Sequence, residues 1–388
     1  MPKILRIINR LNIGGPTYNA GILTKYLAPT YETLLLAGQK DESEESSDFI
    51  LNDLGIEPYY VPNMYRSINP WRDWPAYRQV CDIIRRFKPD IVHTHAAKAG
   101  AIGRAAAKAM GVPIIVHTFH GHVFHSYFNP LKTRMFLEIE RALAKVSHQI
   151  IAISPEQKRE LAEVYAVCSP EKISVVPLGF NLLRFEQNQA EKRADFRQKY
   201  QLQDNETAIV IVGRLVPIKN HALLLKSLAQ ILPKIEQPVK VFIVGDGEER
   251  AALEQLVSTL GLTQKVVFTS WIKKIDEVFA GADIVTLCSL NEGTPVTLIE
   301  AQAANKPIIS TKVGGVADAV LPNKTALLVP SNDVSAYSDA LQKLINDPNL
   351  RQQLSFAGRE FVGKHYGYQR LINDTSALYD RLLASRQK

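Results

Sequence analysis

The sequence has few cysteines and no long apolar run. Cys81, Cys168 and Cys288 stand far apart in 388 residues, in no spacing typical of a metal or redox site. This indicates a reducing compartment and no disulfide framework. No run of 18 apolar residues predicts a membrane-spanning helix, and Arg6 and Arg10 interrupt the apolar N-terminus where a signal peptide has its continuous core. We therefore expect a cytoplasmic protein.

Two common nucleotide-binding signatures are also missing. The chain contains no GxxxxGK[S/T] sequence, which argues against a P-loop nucleotidase. The segment VGDGEER, residues 244–250, begins like a dinucleotide fingerprint but has Arg250 where the third glycine is needed. A nicotinamide site is therefore not expected.

What the chain does have is length, apolar content and positive charge. Its 388 residues, 46% of them hydrophobic, are enough for two domains with buried cores. The net charge of +7 suits an anionic partner such as a phosphorylated ligand or an acidic lipid surface. We do not expect a nucleic-acid partner.

Short apolar runs alternate with amphipathic stretches from end to end, as in KILRIIN near the N-terminus and AIVIVGR in the second half. Apolar strands separated by helices predict parallel sheets covered on both faces. The polar run at 186–206 interrupts this rhythm and predicts a boundary, which gives domains at 1–185 and 186–365 and a final amphipathic helix within 366–388. The predicted fold is α/β, with two facing doubly wound Rossmann-like domains and a ligand cleft between them.

The stretch LCSLNEGTPVTLIE places two glutamates at the ends of a turn and a helix. Glu292 lies in the predicted turn and Glu300 inside the predicted helix, with Pro295 suited to the helix start. Eight helical steps would separate them by about 12 Å, whereas a glycosidase pair needs roughly 5–9.5 Å. We therefore expect two anchors for one extended ligand, with a diphosphate at the helix N-terminus between them. A sugar nucleotide has that layout.

Two further segments suit a diphosphate. In VGRLVPIKN, Arg214 follows an apolar strand and Lys219 precedes a helix, so that two cations stand near one strand end. In LNIGGPTYNA, Gly14 and Gly15 follow the first strand and let backbone N–H groups approach an anion.

Histidines are concentrated in the segments DIVHTH and VHTFHGHVFH, at His93, His95, His117, His120, His122 and His125. One interpretation is a metal site of a metal-dependent hydrolase. The other is a set of polar groups that position a hydroxyl-rich ligand, with His120 nearest a strand end. The absence of Asp and Glu from residue 96 to residue 137 favours the second interpretation.

Taken together, the segments NIGG, HTFHGH, GRLVPIKN, VGDGEE and EGTPVTLIE, in this order, resemble the retaining glycosyltransferase family 4 of the GT-B architecture. The resemblance covers nearly the whole chain. It implies transfer of a sugar, a hexose or an N-acetylhexosamine, from a UDP-sugar to a glycan or lipid-linked acceptor with retention at the anomeric carbon. It also implies that no metal cofactor is needed and that the C-terminal helix crosses back to the N-terminal domain.

The resemblance also implies residue roles. It makes His120, Arg214, Lys219 and Glu292 the catalytic residues. It assigns donor binding to Gly14, Gly15, Arg214, Lys219, Gly245, Glu292, Gly293, Thr294, Val296, Thr297 and Glu300. The segment at 90–124 is similar to members acting in bacterial surface-polysaccharide assembly. The alternative to transfer is a non-catalytic protein that binds sugar nucleotides or polysaccharides.

A basic segment follows the histidines. After a loop with Phe124, Tyr127 and Phe128, a predicted helix carries basic residues at 132, 134, 141 and 145, and the preceding helix adds Lys98, Arg104 and Lys108. Aromatic and basic residues together suit an anionic membrane surface and hence a lipid-linked acceptor. The alternative is that apolar residues 135–139 simply pack this helix on its sheet, with Glu138 and Glu140 diluting the charge.

Overall fold

The computed structural model describes residues 1–11, 15–39, 48–65, 67–121 and 130–386. Contacts between Cα atoms divide the chain into two compact units. Unit 1 contains residues 1–180 and 366–388, and unit 2 contains residues 181–365.

Unit 1 is built on a seven-stranded parallel sheet of order β3-β2-β1-β4-β5-β6-β7. Its strands are β1 (Lys3–Ile8), β2 (Glu32–Ala37), β3 (Tyr59–Tyr60), β4 (Ile91–His95), β5 (Ile114–Phe119), β6 (Gln149–Ala152) and β7 (Ile173–Val175). The helices between them are α1 (Gly15–Tyr26), α2 (Asp48–Asp53), α3 (Pro70–Phe87), α4 (Ala97–Ala109), α5 (Pro130–Val146) and α6 (Pro155–Arg159).

The two faces of this sheet follow from the two-residue period of a strand. In β1, Leu5 and Ile7 belong to the buried cluster that includes Val80 of α3, while Ile4 belongs to the cluster that includes Ile22 of α1. Both faces are therefore covered, as the apolar strands predict.

Unit 2 repeats the plan with a six-stranded parallel sheet of order β10-β9-β8-β11-β12-β13. Its strands are β8 (Thr207–Val212), β9 (Val239–Val244), β10 (Val266–Ser270), β11 (Ile284–Leu287), β12 (Ile308–Thr311) and β13 (Ala326–Val329). Its helices are α7 (Gln189–Lys199), α8 (His221–Ile231), α9 (Arg250–Thr259), α10 (Ile275–Gly281), α11 (Val296–Ala303), α12 (Val316–Ala319), α13 (Val334–Asn346), α14 (Pro348–Ser355) and α15 (Gly358–Tyr366). The prediction of two α/β units with parallel sheets is confirmed.

The strand order of unit 2 reverses between β8 and β11. From β8 the chain continues to β9 and β10 on one side, and it returns to β11, β12 and β13 on the other. The loops that leave β8 and β11 therefore diverge at the carboxyl ends of two neighbouring strands, where open α/β sheets bind ligands.

The last helix, α16 (Tyr368–Ala384), belongs to unit 1. Its Leu371 lies against Gly179, where a Cβ would be 2.6 Å from the leucine side chain. Its buried Tyr379 hydroxyl accepts a hydrogen bond from the Arg6 guanidinium at 3.1 Å and bonds the His93 ring at 2.5 Å, and both partners belong to the unit 1 sheet. Because Gly179 has no side chain, α16 can pack closely against the backbone at that position.

The polar run at the predicted boundary differs from expectation because it contains the helix α7. Phe196 is buried beside Gly281 of α10, where a Cβ would meet its ring at 2.1 Å. Arg193 forms an ion pair of 2.7 Å with Asp283. The helix is held by one aromatic side chain and ion pairs rather than by an apolar stripe, which is why its sequence looks like a linker.

Residues 181–185 lie in unit 2 rather than in the first domain. Phe185 packs edge-on against Phe279 of α10, with ring centroids 5.8 Å apart. This contact attaches the segment to the second unit.

Candidate functional site

The carboxyl ends of β8 and β11 bring two predicted residues into contact. Lys219 ends a short 3-10 helix after β8, and Glu292 lies in the loop after β11. The Lys219 Nζ lies 2.5 Å from the Glu292 Oε1, and both side chains are mostly buried. A cation and a carboxylate therefore meet at the point where the strand order reverses.

Glu292 is held by a second group that the sequence analysis did not single out. The Ser289 hydroxyl donates to the same Oε1 at 2.5 Å. The Thr311 hydroxyl, at the end of β12, donates in turn to the Ser289 carbonyl at 2.6 Å. These two bonds fix the Glu292 carboxylate beside Lys219.

The turn that contains Glu292 and Gly293 packs directly on the backbone of the loop after β12. A Cβ on Gly314 would lie 2.0 Å from the Glu292 carbonyl oxygen, and a Cβ on Gly315 would lie 2.0 Å from that of Gly293. The Gly315 N–H donates to the Glu292 carbonyl at 2.9 Å. Both positions need glycine because backbone meets backbone. The signal in the sequence was the pair of glycines following the strand KPIIST.

A similar contact joins the ends of β8 and β9. Gly245 has φ +139, and a Cβ there would lie 2.0 Å from the Gly213 carbonyl oxygen. The Gly213 N–H donates to the Val244 carbonyl at 2.9 Å, and the Leu215 N–H donates to the Asp246 carbonyl at 3.0 Å. The predicted donor residue Gly245 thus allows the two loops to pack, together with Gly247, where a Cβ would lie 2.4 Å from the Leu215 carbonyl oxygen.

The other predicted donor residues around Glu292 belong to the start of α11. Gly293 is exposed, and Thr294, Val296 and Thr297 are half-buried. The helix begins at Val296, one residue later than predicted, and its N-cap residue makes no side-chain cap. The Thr297 hydroxyl donates to the Val212 carbonyl at 3.3 Å, which ties the helix start to the end of β8.

Glu300 lies one turn further along α11 and has a different partner. Its side chain is largely buried, and the Arg184 guanidinium lies 3.4 Å from its Oε1. Burial raises the pKa of Glu300 to about 7, and the charge of Arg184 lowers it to a lesser extent. The two glutamates therefore face two separate cations, which supports two anchors rather than one acid/base pair.

Glu300 should make stability depend on pH. Its pKa is higher in the folded protein than the ordinary value of 4.5, so the folded state binds this proton more tightly. The resulting stabilisation is complete below about pH 4.5 and is lost as the pH rises to about 7. We expect Glu300→Gln to gain stability relative to the wild type across this interval, in urea unfolding at several pH values.

The control for that measurement is Glu236→Gln, which changes an exposed glutamate of the same unit. Its stability relative to the wild type should change little across the interval. A constant difference between wild type and Glu300→Gln would contradict the raised pKa.

Arg214 and Arg250 also follow strand ends of unit 2. Arg214 is exposed, and within the described ranges no ion pair involves it, so its guanidinium is available to an anion. Arg250, which replaces the fingerprint glycine, bonds Asp246 at 2.9 Å and the Ser270 hydroxyl at 2.6 Å. Arg250 thus joins the loops after β9 and β10.

In unit 1, the structure pairs His120 with a second histidine. His95 ends β4, His120 follows β5, and the His95 Nδ1 lies 2.9 Å from the His120 Nε2. Burial lowers the pKa of His120 to about 3, so the ring is neutral near pH 7. Of a neutral pair bonded in this way, one outer nitrogen donates and the other accepts, which suits a hydroxyl group.

The other histidines of this segment that the structure describes are packed inside unit 1. His93 bonds Tyr379 and the Thr118 hydroxyl, and His117 bonds the Thr94 hydroxyl at 2.8 Å. His122 and His125 lie outside the described residues. So does Gly14, whereas Gly15 is buried as the first residue of α1.

Metal binding has no geometric support within the described ranges, where no three His, Cys, Asp or Glu side chains converge as a metal site requires. The residues that could bind an anion are the cations and backbone groups at the ends of β8 and β11. Metal independence stays a prediction.

One basic residue predicted for the surface is buried. Arg104 of α4 is fully enclosed and lies 2.6 Å from the Glu140 carboxylate of α5. The prediction that Arg104 adds its charge to a basic surface is wrong, because Arg104 and Glu140 neutralise each other in the interior. The aromatic residues Phe124, Tyr127 and Phe128 lie outside the described residues. Within the described ranges, the helices are too short or too polar to cross a bilayer.

Two family models match the chain. The model "Glycosyltransferase Family 4" matches residues 13–184, and the model "Glycosyl transferases group 1" matches residues 192–361. Together they cover most of both units, apart from residues 1–12, 185–191 and 362–388.

Among characterised proteins, the chain is 31% identical over 313 residues to an Escherichia coli UDP-Gal:alpha-D-GlcNAc-diphosphoundecaprenol alpha-1,3-galactosyltransferase. That match covers 80% of this chain and 79% of the relative. The chain is also 27% identical over 327 residues to the capsular polysaccharide biosynthesis glycosyltransferase CapM of Staphylococcus aureus, covering 84% and 85%.

Solved structures share the fold at low identity. Anabaena Alr3699/HepE, in complex with UDP and glucose, superposes with a TM-score of 0.83 at 19% identity, covering 98% of this chain and all of the other. A glycosyltransferase from Rickettsia africae ESF-5 gives a TM-score of 0.81 at 21% identity, with 98% of each chain covered. The GT-B fold class is confirmed.

Proposed function

Since the chain belongs to glycosyltransferase family 4, we propose that it transfers a sugar from a UDP-sugar to a lipid-linked or glycan acceptor, with retention at the anomeric carbon. It is a sugar-transferring enzyme by family, and this decides against the metal-dependent hydrolase. The donor, the acceptor class and the stereochemistry are the parts proposed here.

The observation that carries the proposal is the ion pair of Lys219 and Glu292 at the reversal of strand order in unit 2. A lysine there neutralises the diphosphate, and a carboxylate beside it accepts hydrogen bonds from sugar hydroxyls. In a UDP-sugar the diphosphate and the sugar hydroxyls are next to each other, as Lys219 and Glu292 are in the protein.

In the proposed reaction the bond between the anomeric carbon and the diphosphate oxygen breaks, and UDP leaves. The acceptor hydroxyl attacks the anomeric carbon from the same face, and its proton passes to an oxygen of the leaving phosphate. Negative charge grows on the diphosphate, where Lys219, Arg214 and the N-terminus of α11 stabilise it. The chain supplies this stabilisation with its own residues.

Donor binding changes the partners of the two glutamates. Lys219 turns from Glu292 to the diphosphate, and Glu292 accepts hydrogen bonds from the donor sugar while Ser289 keeps it in place. Glu300, near Arg184, is proposed to accept hydrogen bonds from the ribose hydroxyls. His120, neutral and paired with His95, is proposed to bind a hydroxyl of the transferred sugar or the acceptor.

The proposal of a lipid-linked acceptor is supported by the Escherichia coli relative, whose name specifies a diphosphoundecaprenol substrate. The Staphylococcus aureus relative acts in capsular polysaccharide biosynthesis. A polyprenol-linked acceptor requires the enzyme to work at a membrane surface, to which the basic residues Lys132 and Arg134 of α5 contribute.

Thermal unfolding with a panel of nucleotides tests the donor. We expect UDP and UDP-sugars to raise the Tm most, because a ligand at 100 times its Kd adds about 2.7 kcal/mol of stability. The shift should be lost in Lys219→Ala and kept in Lys226→Ala, which changes an exposed lysine of α8. A Tm that no nucleotide raises would contradict the donor assignment.

Turnover distinguishes an enzyme from a binding protein. With a radiolabelled donor and a diphosphate-lipid acceptor, transfer or slow donor hydrolysis is expected. Tight donor binding with neither outcome would favour the non-catalytic alternative.

A further inference from the structure

Helices α3, α4 and α5 form one layer on unit 1. They connect strands that follow one another in the same direction across the sheet, and right-handed crossovers place such helices on the same face. Ion pairs join them: Lys98 of α4 with Asp73 of α3 at 2.5 Å, and Arg104 of α4 with Glu140 of α5 at 2.6 Å. The layer therefore presents one continuous outer face.

Two tryptophans protrude from this outer face. Trp71 and Trp74 are 89% and 62% exposed, in the first two turns of α3. The helix packs on the sheet through Ala76, Val80 and Ile84, which lie on its opposite side. Trp74 stacks on Tyr77 of the same helix, with ring centroids 5.5 Å apart, yet both tryptophan rings remain largely exposed to solvent.

An apolar stripe continues the outer face on α5. Leu131, Met135 and Ile139 are all exposed, and Leu131 is 79% exposed. Their spacing of four residues places them on one side of the helix. Helix α4 lies between α3 and α5, and its exposed positions include the small residues Ala97 and Ala105. The large exposed side chains of the outer face therefore belong to the two flanking helices, α3 and α5.

The positive charge of the protein is concentrated on the same layer. The three helices contain eleven basic and four acidic residues, a difference of seven, which equals the net charge of the whole chain. Each acidic residue is neutralised within the layer, in the pairs Asp73–Lys98, Asp82–Arg85, Glu138–Arg141 and Glu140–Arg104. The remaining field of the layer is positive.

We propose that the outer face of α3, α4 and α5 lies flat on an anionic phospholipid bilayer, with Trp71 and Trp74 inserted at the level of the headgroups. Tryptophan is favoured at that depth because it has an apolar ring and a polar N–H. Arginine and lysine beside it bind the anionic headgroups. The proposed membrane surface thus includes three helices, with the tryptophans of α3 as its anchor, and not only the basic helix α5. It rests on the proposed function in one respect: binding to the bilayer would give the enzyme access to a lipid-linked acceptor.

A second copy of the chain does not suit this face. In a two-fold dimer the same patch would meet itself, so the two positive layers would repel each other. An anionic bilayer provides the opposite charge together with an apolar layer for the tryptophans.

The full-length protein with Trp271→Phe tests the proposal directly. The chain has three tryptophans, so this variant keeps only Trp71 and Trp74 as fluorescent reporters. Mixed with vesicles of phosphatidylglycerol and phosphatidylcholine at low salt, it should sediment with them, and its emission should shift to the blue. Phospholipids brominated near the headgroup should quench the emission more than phospholipids brominated at the chain ends.

Substitutions separate the apolar and electrostatic contributions. Trp71→Ser with Trp74→Ser should weaken vesicle binding on the order of tenfold or more. The control Phe356→Ser, at an 81% exposed phenylalanine of unit 2, should not weaken it. Each near-surface cation contributes about fivefold. Arg78→Glu with Arg134→Glu should therefore weaken binding by about 25-fold or more, and the equally charged control Lys226→Glu with Lys324→Glu should weaken it much less.

Three results would overturn the proposal: no sedimentation of the wild type with anionic vesicles at low salt, bound protein with unshifted tryptophan emission, or equal losses in the layer variants and their controls. A fourth result would be a blue shift of the tryptophan emission without lipid, growing with protein concentration, together with a doubling of the molecular mass in solution. It would also overturn the proposal, since the face would then bind a second copy of the chain. None of these measurements uses a donor. Failure here with an intact UDP-dependent rise in Tm would reject the membrane surface alone.

Discussion

Lys219→Ala is expected to lower kcat for sugar transfer by on the order of 10²-fold or more. Removing one group that stabilises charge only in the transition state costs this much in other enzymes. Lys219 is held by Glu292 at 2.5 Å, so the lysine already stands where the proposed diphosphate would bind. Its loss removes the cation and also leaves the Glu292 carboxylate facing the phosphates.

A double variant separates these two effects. Lys219→Ala with Glu292→Gln should recover part of the donor affinity, seen as a lower KM for the donor, because the uncompensated carboxylate is gone. Its kcat should stay low. Lys226→Ala is the matched control, and it should transfer sugar at the wild-type rate. If Lys219→Ala folds and keeps full kcat, the role of Lys219 is wrong.

Gly314→Ala is expected to lower kcat/KM by about 10²-fold although Gly314 has no side chain to offer the substrate. Its Cβ would lie 2.0 Å from the carbonyl oxygen of Glu292, and neither backbone can yield without moving the turn. Misplacing a positioned group by about 1 Å can cost that factor. The effect should appear in steady-state kinetics with the donor varied.

Gly261→Ala is a matched control for this substitution. Gly261 has φ +69 and Gly314 has φ +46, so alanine is strained at both positions by about 1–2 kcal/mol. At Gly261, apart from its neighbours in the chain, no atom of the described residues lies within 4 Å of the added Cβ. Gly261→Ala should therefore lose stability in urea but keep its kcat/KM. Equal kcat/KM values for the two variants would show that the glycine contact does not position Glu292.

The motifs of unit 2 were predictable because each follows a strand. Strand ends in a parallel sheet meet at one edge, so Lys219 after β8 and Glu292 after β11 could be expected at the same place. Their direct pairing could not be read from the sequence, since 73 positions separate them. Arg184 was missed for the same reason, since it approaches Glu300 from 116 positions away.

Burial of charge was the harder feature to predict. Arginine is usually a surface residue, so the sequence did not indicate that Arg104 is buried. It can be buried because Glu140 on the neighbouring helix neutralises its charge. The helix α7 was missed because ion pairs and Phe196, rather than a periodic apolar face, attach it to unit 2. Amphipathic periodicity identifies helices that pack through apolar side chains and misses those that do not.

The sequence by itself determined the α/β class, the two units, the family and the chemical character of the proposed donor site, since each depends on local patterns or motifs along the chain. Only the tertiary structure decided which groups pair: Lys219 with Glu292, Arg184 with Glu300, and His95 with His120. It also decided that three helices join their charge into one face. The physical reason is that pairing and shared faces depend on which strands are neighbours and on distances of a few ångströms, and neither is encoded in the spacing along the chain.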